Sequence, residues 1–150
     1  MKLSEILFEV EQPPKPKQED MQDALEMVRE SYPEEMEDKE LEDFDLEYLG
    51  LLSVADIGHY ADLSSWMEEF DEDDVEGMKS FRGEEWFNRM ENFAKNDTIP
   101  LENFAKNDTI PPIIVVEGKT FTDVGDGRGR VTYANWKNIP LHVYKLKVKQ

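Results

Sequence analysis

The stretch Gly125-Asp126-Gly127-Arg128-Gly129-Arg130 combines residue types that bind anions. Glycines let the backbone bend and approach a ligand closely. The residues that follow, with Val131, Ala134 and Trp136 on an inward face, read as a helix, whose first amides have no partner inside it. Two arginines in three residues add forked donors, so the turn is suited to a phosphate or a carboxylate. The plainer alternative is that Arg128 and Arg130 pair with the acidic N-terminal half of the chain.

That choice matters because the chain is acidic: 150 residues carry 35 Asp and Glu against 17 Lys and Arg, a formal net charge of -18. Such a surface repels polyphosphates, so non-specific nucleic-acid binding and docking on anionic lipid are disfavoured. With 0 cysteines, a disulfide framework, a thiolate nucleophile, zinc-finger ligation and iron-sulfur clusters are all excluded. Glu5 and Glu9 interrupt the apolar residues near the start, where a secretory signal needs an unbroken run, and no later run reaches membrane-spanning length. The expected location is cytoplasmic, with no membrane partner.

The elements that must position the turn come from an uneven chain. Residues 1–90 hold 28 acidic and 8 basic side chains, a net of -20, whereas residues 91–150 hold 7 and 9, a net of +2. The spacing and composition predict three regions: a flexible arm and Pro-rich linker over 1–18, an acidic helical and loop region packed on the core over 19–83, and the core itself over 84–150. Leu3, Ile6, Leu7 and Val10 share one helical face in the arm, and Pro13, Pro14 and Pro16 make the linker extended. Met21, Ala24, Leu25 and Val28 then form a helical stripe, with Asp20 as its expected N-cap and Pro33 as its stop.

From Pro33 to Glu47 there are nine carboxylates and one lysine, which predicts an open, solvated tract. Leu49 to Ile57 reads as a short buried strand leading into a turn. Ser65 to Glu68 has capping-box spacing, which predicts a short helix ended by Asp71-Glu72-Asp73-Asp74. A calcium loop from Asp71 fails its own grammar, since Glu76 and Arg82 stand where glycine and glutamate are needed. No metal site is expected. Trp86, Phe87, Met90, Phe93 and Ala94 make a broad apolar face on a helix over 84–95, with Glu84, Glu85, Arg89, Glu91 and Lys95 covering the other.

That helix runs into a tandem repeat. The 11 residues from Glu91 to Leu101 recur from Glu102 to Pro112 with ten of eleven identical. Pro100 and the Asn96-Asp97-Thr98 cluster oppose a continuous helix, so the repeat reads as a duplication over 91–112. The first copy should finish the helix and the second make a loop with a helical turn at 102–106. Beyond it, Ile113 to Val116 reads as a buried strand, Thr120 to Val124 as a second strand, and Leu141, Val143, Leu146 and Val148 as a last one. The fold class expected is α+β: a small mixed β-sheet over 111–148 packed by the helices at 84–95 and 129–136, preceded by an acidic helical N-terminal region.

In that order, the Pro-Ile-Ile-Val-Val strand, the strand ending in Asp126-Gly127-x-x-Arg130, the Ala-containing helix and Ile139-Pro140-Leu141-His142-Val143 resemble the core of the ParB/sulfiredoxin-like superfamily. The resemblance runs from Trp86 to Leu146, with Leu51 to Ile57 as an entry strand. It implies that the turn binds nucleotide phosphates, with Gly127, Arg128, Gly129 and Arg130 as the phosphate-facing positions and Asp126 holding the turn or acting on a nucleotide bound with magnesium. Sulfiredoxin-like reduction needs a cysteine beside the arginine turn and is excluded. Gly129 stands where the family commonly carries His or Arg. Centromere-type DNA reading needs a helical domain after the core and is expected to have no carrier here. A short core with an acidic leader also resembles small proteins carried by bacteriophages.

Three function classes follow. The first is a ParB-like protein that binds a nucleotide or other phosphate ligand at the Asp126–Arg130 turn, with Asp123 or Glu117 as alternative bases should it be an enzyme; the catalytic residues are otherwise unassigned. The second is an acidic interaction protein, a DNA mimic or inhibitor of a basic protein partner, that uses the fold as a scaffold. The third is a ParB-like nuclease, for which the sequence supplies neither metal-binding carboxylates nor a cationic groove. His59 and His142 read as structural histidines.

Overall fold

The computed structural model describes residues 15–96 and 110–149. The expected arm at 1–10 and the helical turn at 102–106 lie outside the described residues. Contacts divide the chain into two compact units, one of residues 1–15 and 70–111, the other of residues 16–69 and 112–150.

The larger unit is a mixed four-stranded sheet with helices, which agrees with the α+β expectation. Its strands are β1 (Phe44–Leu52), β2 (Ile113–Glu117), β3 (Thr122–Asp126) and β4 (Leu141–Val148), in the spatial order β1-β4-β2-β3. β2 and β3 form an antiparallel hairpin, β4 returns parallel to β2, and β1 pairs antiparallel with β4. The inner strands, β4 and β2, are the most continuously buried. Ile113 to Val116 are 0% exposed, and β4 is buried at six consecutive positions, Leu141 to Leu146. A strand covered on both faces has no solvent side to alternate towards.

Helix α1 (Gln18–Ser31) lays Ala24, Leu25 and Val28 on β2 and β3, where they join Ile114, Val116, Phe121 and Leu146 in one core. Val131 and Ala134 of a later helix, α6 (Arg128–Lys137), are buried as expected. The apolar stripe of α1 places it correctly, but its start differs: Gln18 begins the helix after Lys17, with no side-chain cap, and Asp20 lies in its first turn. α1 also comes very close to β3. A Cβ built on Gly125 would lie 2.7 Å from the Ala24 carbonyl oxygen. We expect Gly125→Val to lower stability by about 1–3 kcal/mol through overpacking, read as a drop in the urea midpoint; an unchanged midpoint would mean that this contact is loose.

The tract from Pro33 to Glu47 is not open. It folds as α2 (Pro33–Met36), a 3-10 turn (Leu41–Asp43) and the first half of β1. Arg29 ties it to α1, donating from Nε to the Met36 carbonyl at 3.2 Å and from Nη2 to the Lys39 carbonyl at 2.6 Å. Glu40 and Asp43 close a reciprocal capping box around the turn. Further along, the expected short strand and turn resolve into the end of β1 and a one-turn helix α3 (Val54–Ile57), capped by Ser53. Ser65 to Glu68 forms no helix: Ser64 to Trp66 is a turn, and Met67 and Glu68 are irregular. The second strand of the hairpin begins two residues later than expected, at Thr122.

Among the described residues the smaller unit holds two helices, α4 (Val75–Arg82) and α5 (Glu84–Asn96), joined at Gly83, whose φ of 95° is reached easily only by glycine. α5 matches the expected helix, whereas α4 was not anticipated. Asp74 caps α4 by accepting from the Gly77 amide at 2.8 Å. Phe81 lies edge-on to both Phe70 and Trp86, with centroids 5.7 and 5.9 Å away.

Candidate functional site

The Asp126–Arg130 turn lies where β3 hands over to α6, and Gly127 is the residue that makes the handover possible. Its φ is 104°, and a Cβ there would meet Ile113 Cγ2 at 2.5 Å and Arg130 Nη2 at 3.0 Å. Conformation and space both demand glycine. Gly129 is buried in the first turn of α6.

Both arginines are engaged by carboxylates of their own unit. Arg128 reaches back along β3, donating from Nε to the Val124 carbonyl at 3.1 Å and from Nη2 to Asp123 Oδ2 at 3.0 Å. Its guanidinium centre also lies 5.1 Å from the ring of Trp66. Arg130 pairs with Asp126 at 3.1 Å. Burial pushes the Asp126 carboxyl above its usual range, and the neighbouring Arg130 opposes that shift. These contacts compete with a phosphate for the same guanidinium donors.

Asp123 is the centre of the arrangement. Only 3% exposed, it accepts at Oδ1 from the Val124 amide at 2.8 Å and from Trp66 Nε1 at 3.1 Å, and at Oδ2 from Arg128 and from the Tyr32 hydroxyl at 3.2 Å. Four donors on two oxygens leave it little capacity for a proton-transfer role. Burial and the adjacent Asp123 raise the Tyr32 hydroxyl above its ordinary value. Tyr32 and Trp66 escaped the sequence reading. The available signal was Asp123 itself, a carboxylate set between Phe121 and Val124, whose burial requires donors from elsewhere.

The other residues considered for chemistry are dispersed. Glu117 pairs with Lys145 and Lys147, each at 3.6 Å, and Lys145 also faces Glu47 at 3.7 Å. His142 is buried on β4 with Nδ1 2.7 Å from the Tyr48 hydroxyl, and burial lowers its pKa to about 4. His59 stands exposed after α3. Among the described residues no group of His, Asp and Glu could hold a metal ion, and no helix is long and apolar enough to cross a membrane.

The acidic tract, by contrast, is concentrated and ordered. Glu34, Glu37, Asp38, Glu40, Glu42, Asp45 and Glu47 are exposed on α2, the 3-10 turn, β1 and the short links between them. Glu35 fastens the same segment to the β2–β3 turn, accepting from the Lys119 amide and from the Thr120 amide and hydroxyl, the latter two at 3.0 and 3.1 Å.

Comparison with known proteins finds no family model that matches this chain, no curated protein similar to it in sequence and no solved structure similar to it in fold.

Proposed function

We propose that this protein is an acidic interaction protein whose Glu34–Glu47 face binds a basic protein surface. The observation that carries the reading is the folding of that tract. Seven exposed carboxylates are held on fixed backbone by Arg29, Glu35 and the Glu40–Asp43 box. Fixed charges bind at lower entropic cost than a loose acidic tail, and a localised field also steers a cationic partner during encounter. The face would occupy the sites that such a partner uses for phosphates, which is the sense in which it would mimic DNA.

The ParB-like resemblance carries a second reading, a nucleotide at the Asp126–Arg130 turn. What favours it is the left-handed Gly127 at the start of α6, where no side chain caps the helix. Against it stand the Arg128–Asp123 and Arg130–Asp126 pairs, which a phosphate would have to displace.

Calorimetric titration with a decalysine peptide tests the first reading. Neutralising Glu34→Gln, Glu37→Gln, Asp38→Asn and Glu42→Gln together should weaken binding about tenfold. Neutralising the equally exposed Glu68, Glu69, Glu72 and Asp73 should cost about twofold, the share owed to overall charge. Equal losses in the two variants would reduce the interaction to bulk charge.

A further inference from the structure

We propose that the cleft between α4 and α5 binds a nucleoside monophosphate, with its phosphate between Arg82 and Arg89 and its ring on Trp86. The cleft has a volume of about 700 Å³, and its described lining residues are Arg82, Glu85, Trp86 and Arg89, all from the smaller unit. Arg82 ends α4. Trp86 and Glu85 stand three and four residues before Arg89 on α5, so they share its face.

The state of the two arginines distinguishes this place from the rest of the chain. Arg29, Arg128 and Arg130 each pair with a carboxylate, Glu26, Asp123 and Asp126 in turn. Arg82 and Arg89 are exposed, and neither forms an ion pair with a described residue, although the chain holds 35 acids to 17 bases. Glu85, placed between them in sequence, bonds to neither. The guanidinium centre of Arg82 lies 5.3 Å from the Phe81 ring, an arrangement that steadies its plane and leaves its N–H edges available for an oxyanion. Phe81 also braces Trp86 edge-on.

The charge of the cleft sets the class of ligand. Among the described lining residues, two arginines and one glutamate sum to a single positive charge, inside a chain of net charge -18. That balance suits one phosphate and disfavours a polyphosphate. The indole supplies a stacking surface that a bare anion cannot use. Glu85 accepts from a ring amino group or a ribose hydroxyl, contacts that inorganic phosphate cannot supply. An aromatic carboxylate shares the ring and the anion but offers one fewer oxygen to two forked donors.

Calorimetry on the full chain at low salt tests the proposal with AMP, ATP, adenosine, inorganic phosphate and N-acetyltryptophan as probes. AMP should bind with one site per chain, about tenfold tighter than adenosine, phosphate or N-acetyltryptophan, and no weaker than ATP. Arg82→Gln with Arg89→Gln should weaken AMP binding about tenfold or more, with an unchanged urea midpoint. Arg89→Gln alone, at a side chain that holds nothing else in place, should already weaken it. Arg130→Gln should leave it intact. No saturation by about 1 mM AMP, retention of affinity without the two arginines, loss on Arg130→Gln, or preference for N-acetyltryptophan would each overturn the proposal. None of these results bears on the acidic face, which lies in the other unit.

Discussion

Asp123→Ala should lower the stability of the larger unit by about 3–5 kcal/mol, the cost of breaking a buried ion pair from one side. The carboxylate is 5% exposed and its Arg128 partner 21%, so little solvent is available to replace the lost charge. The alanine would also strand the Val124 amide and the Tyr32 hydroxyl, and leave Trp66 Nε1 with only the Asp62 carbonyl at 3.1 Å. Against a typical domain stability of about 5–15 kcal/mol, much of the unit's margin would go. Urea unfolding followed by tryptophan fluorescence reads it. A loss below about 1 kcal/mol, the worth of one ordinary hydrogen bond, would show that Asp123 is a dispensable surface group rather than the centre that joins α1, β3, the Trp66 turn and α6.

Acid should weaken the fold through His142 well before carboxylates titrate at their ordinary values. Its folded pKa of about 4 lies below the unfolded value of 6.5, so the native state holds it neutral while the unfolded chain binds a proton. The associated stability is complete above pH 6.5 and is lost as pH falls from 6.5 towards 4, by about 3 kcal/mol in all. Asp126 works in the opposite sense, because its raised pKa favours the folded state as it protonates. Comparison with His142→Gln separates the two. The wild type should lose more stability than the variant between pH 7 and pH 4.5, and parallel profiles would contradict a buried neutral imidazole.

Much of this architecture is written locally. The stripe of α1, the four-residue apolar run of β2, the apolar face of α5 and the glycine entry to α6 each follow from spacing and residue type. The acidic tract misleads because its charge density hides a strand period. Phe44, Leu46 and Tyr48 alternate with Asp45 and Glu47. Exposed like charges in water repel by at most about 1 kcal/mol at 4 Å, whereas burying a side chain such as Phe44 contributes about 1.5–3 kcal/mol. Burial wins, and the carboxylates simply face out.

The turn at Ser64 to Trp66 shows tertiary contacts overriding a capping pattern, since the Trp66 indole bonds to Asp62 and Asp123 instead of lying on a helix. The arginine turn is legible as an anion site by composition. That Asp123 and Asp126 stand five and four residues before Arg128 and Arg130, within reach of them, becomes evident only once β3 and α6 are built. That Arg82 and Arg89 form no ion pair with a described residue is invisible to sequence for the same reason: Glu85 stands three residues after Arg82 and four before Arg89, and bonds to neither.

Amide chemical-shift mapping during titration with decalysine tests the account most directly, because it locates the contact as well as detecting it. The amides from Glu34 to Glu47 should shift first and follow a single saturation curve, while those of Asp126 to Arg130 and of Asp71 to Glu76 stay in place. Shifts spread over every acidic segment in proportion to charge, or confined to the arginine turn, would contradict an ordered acidic face as the binding surface.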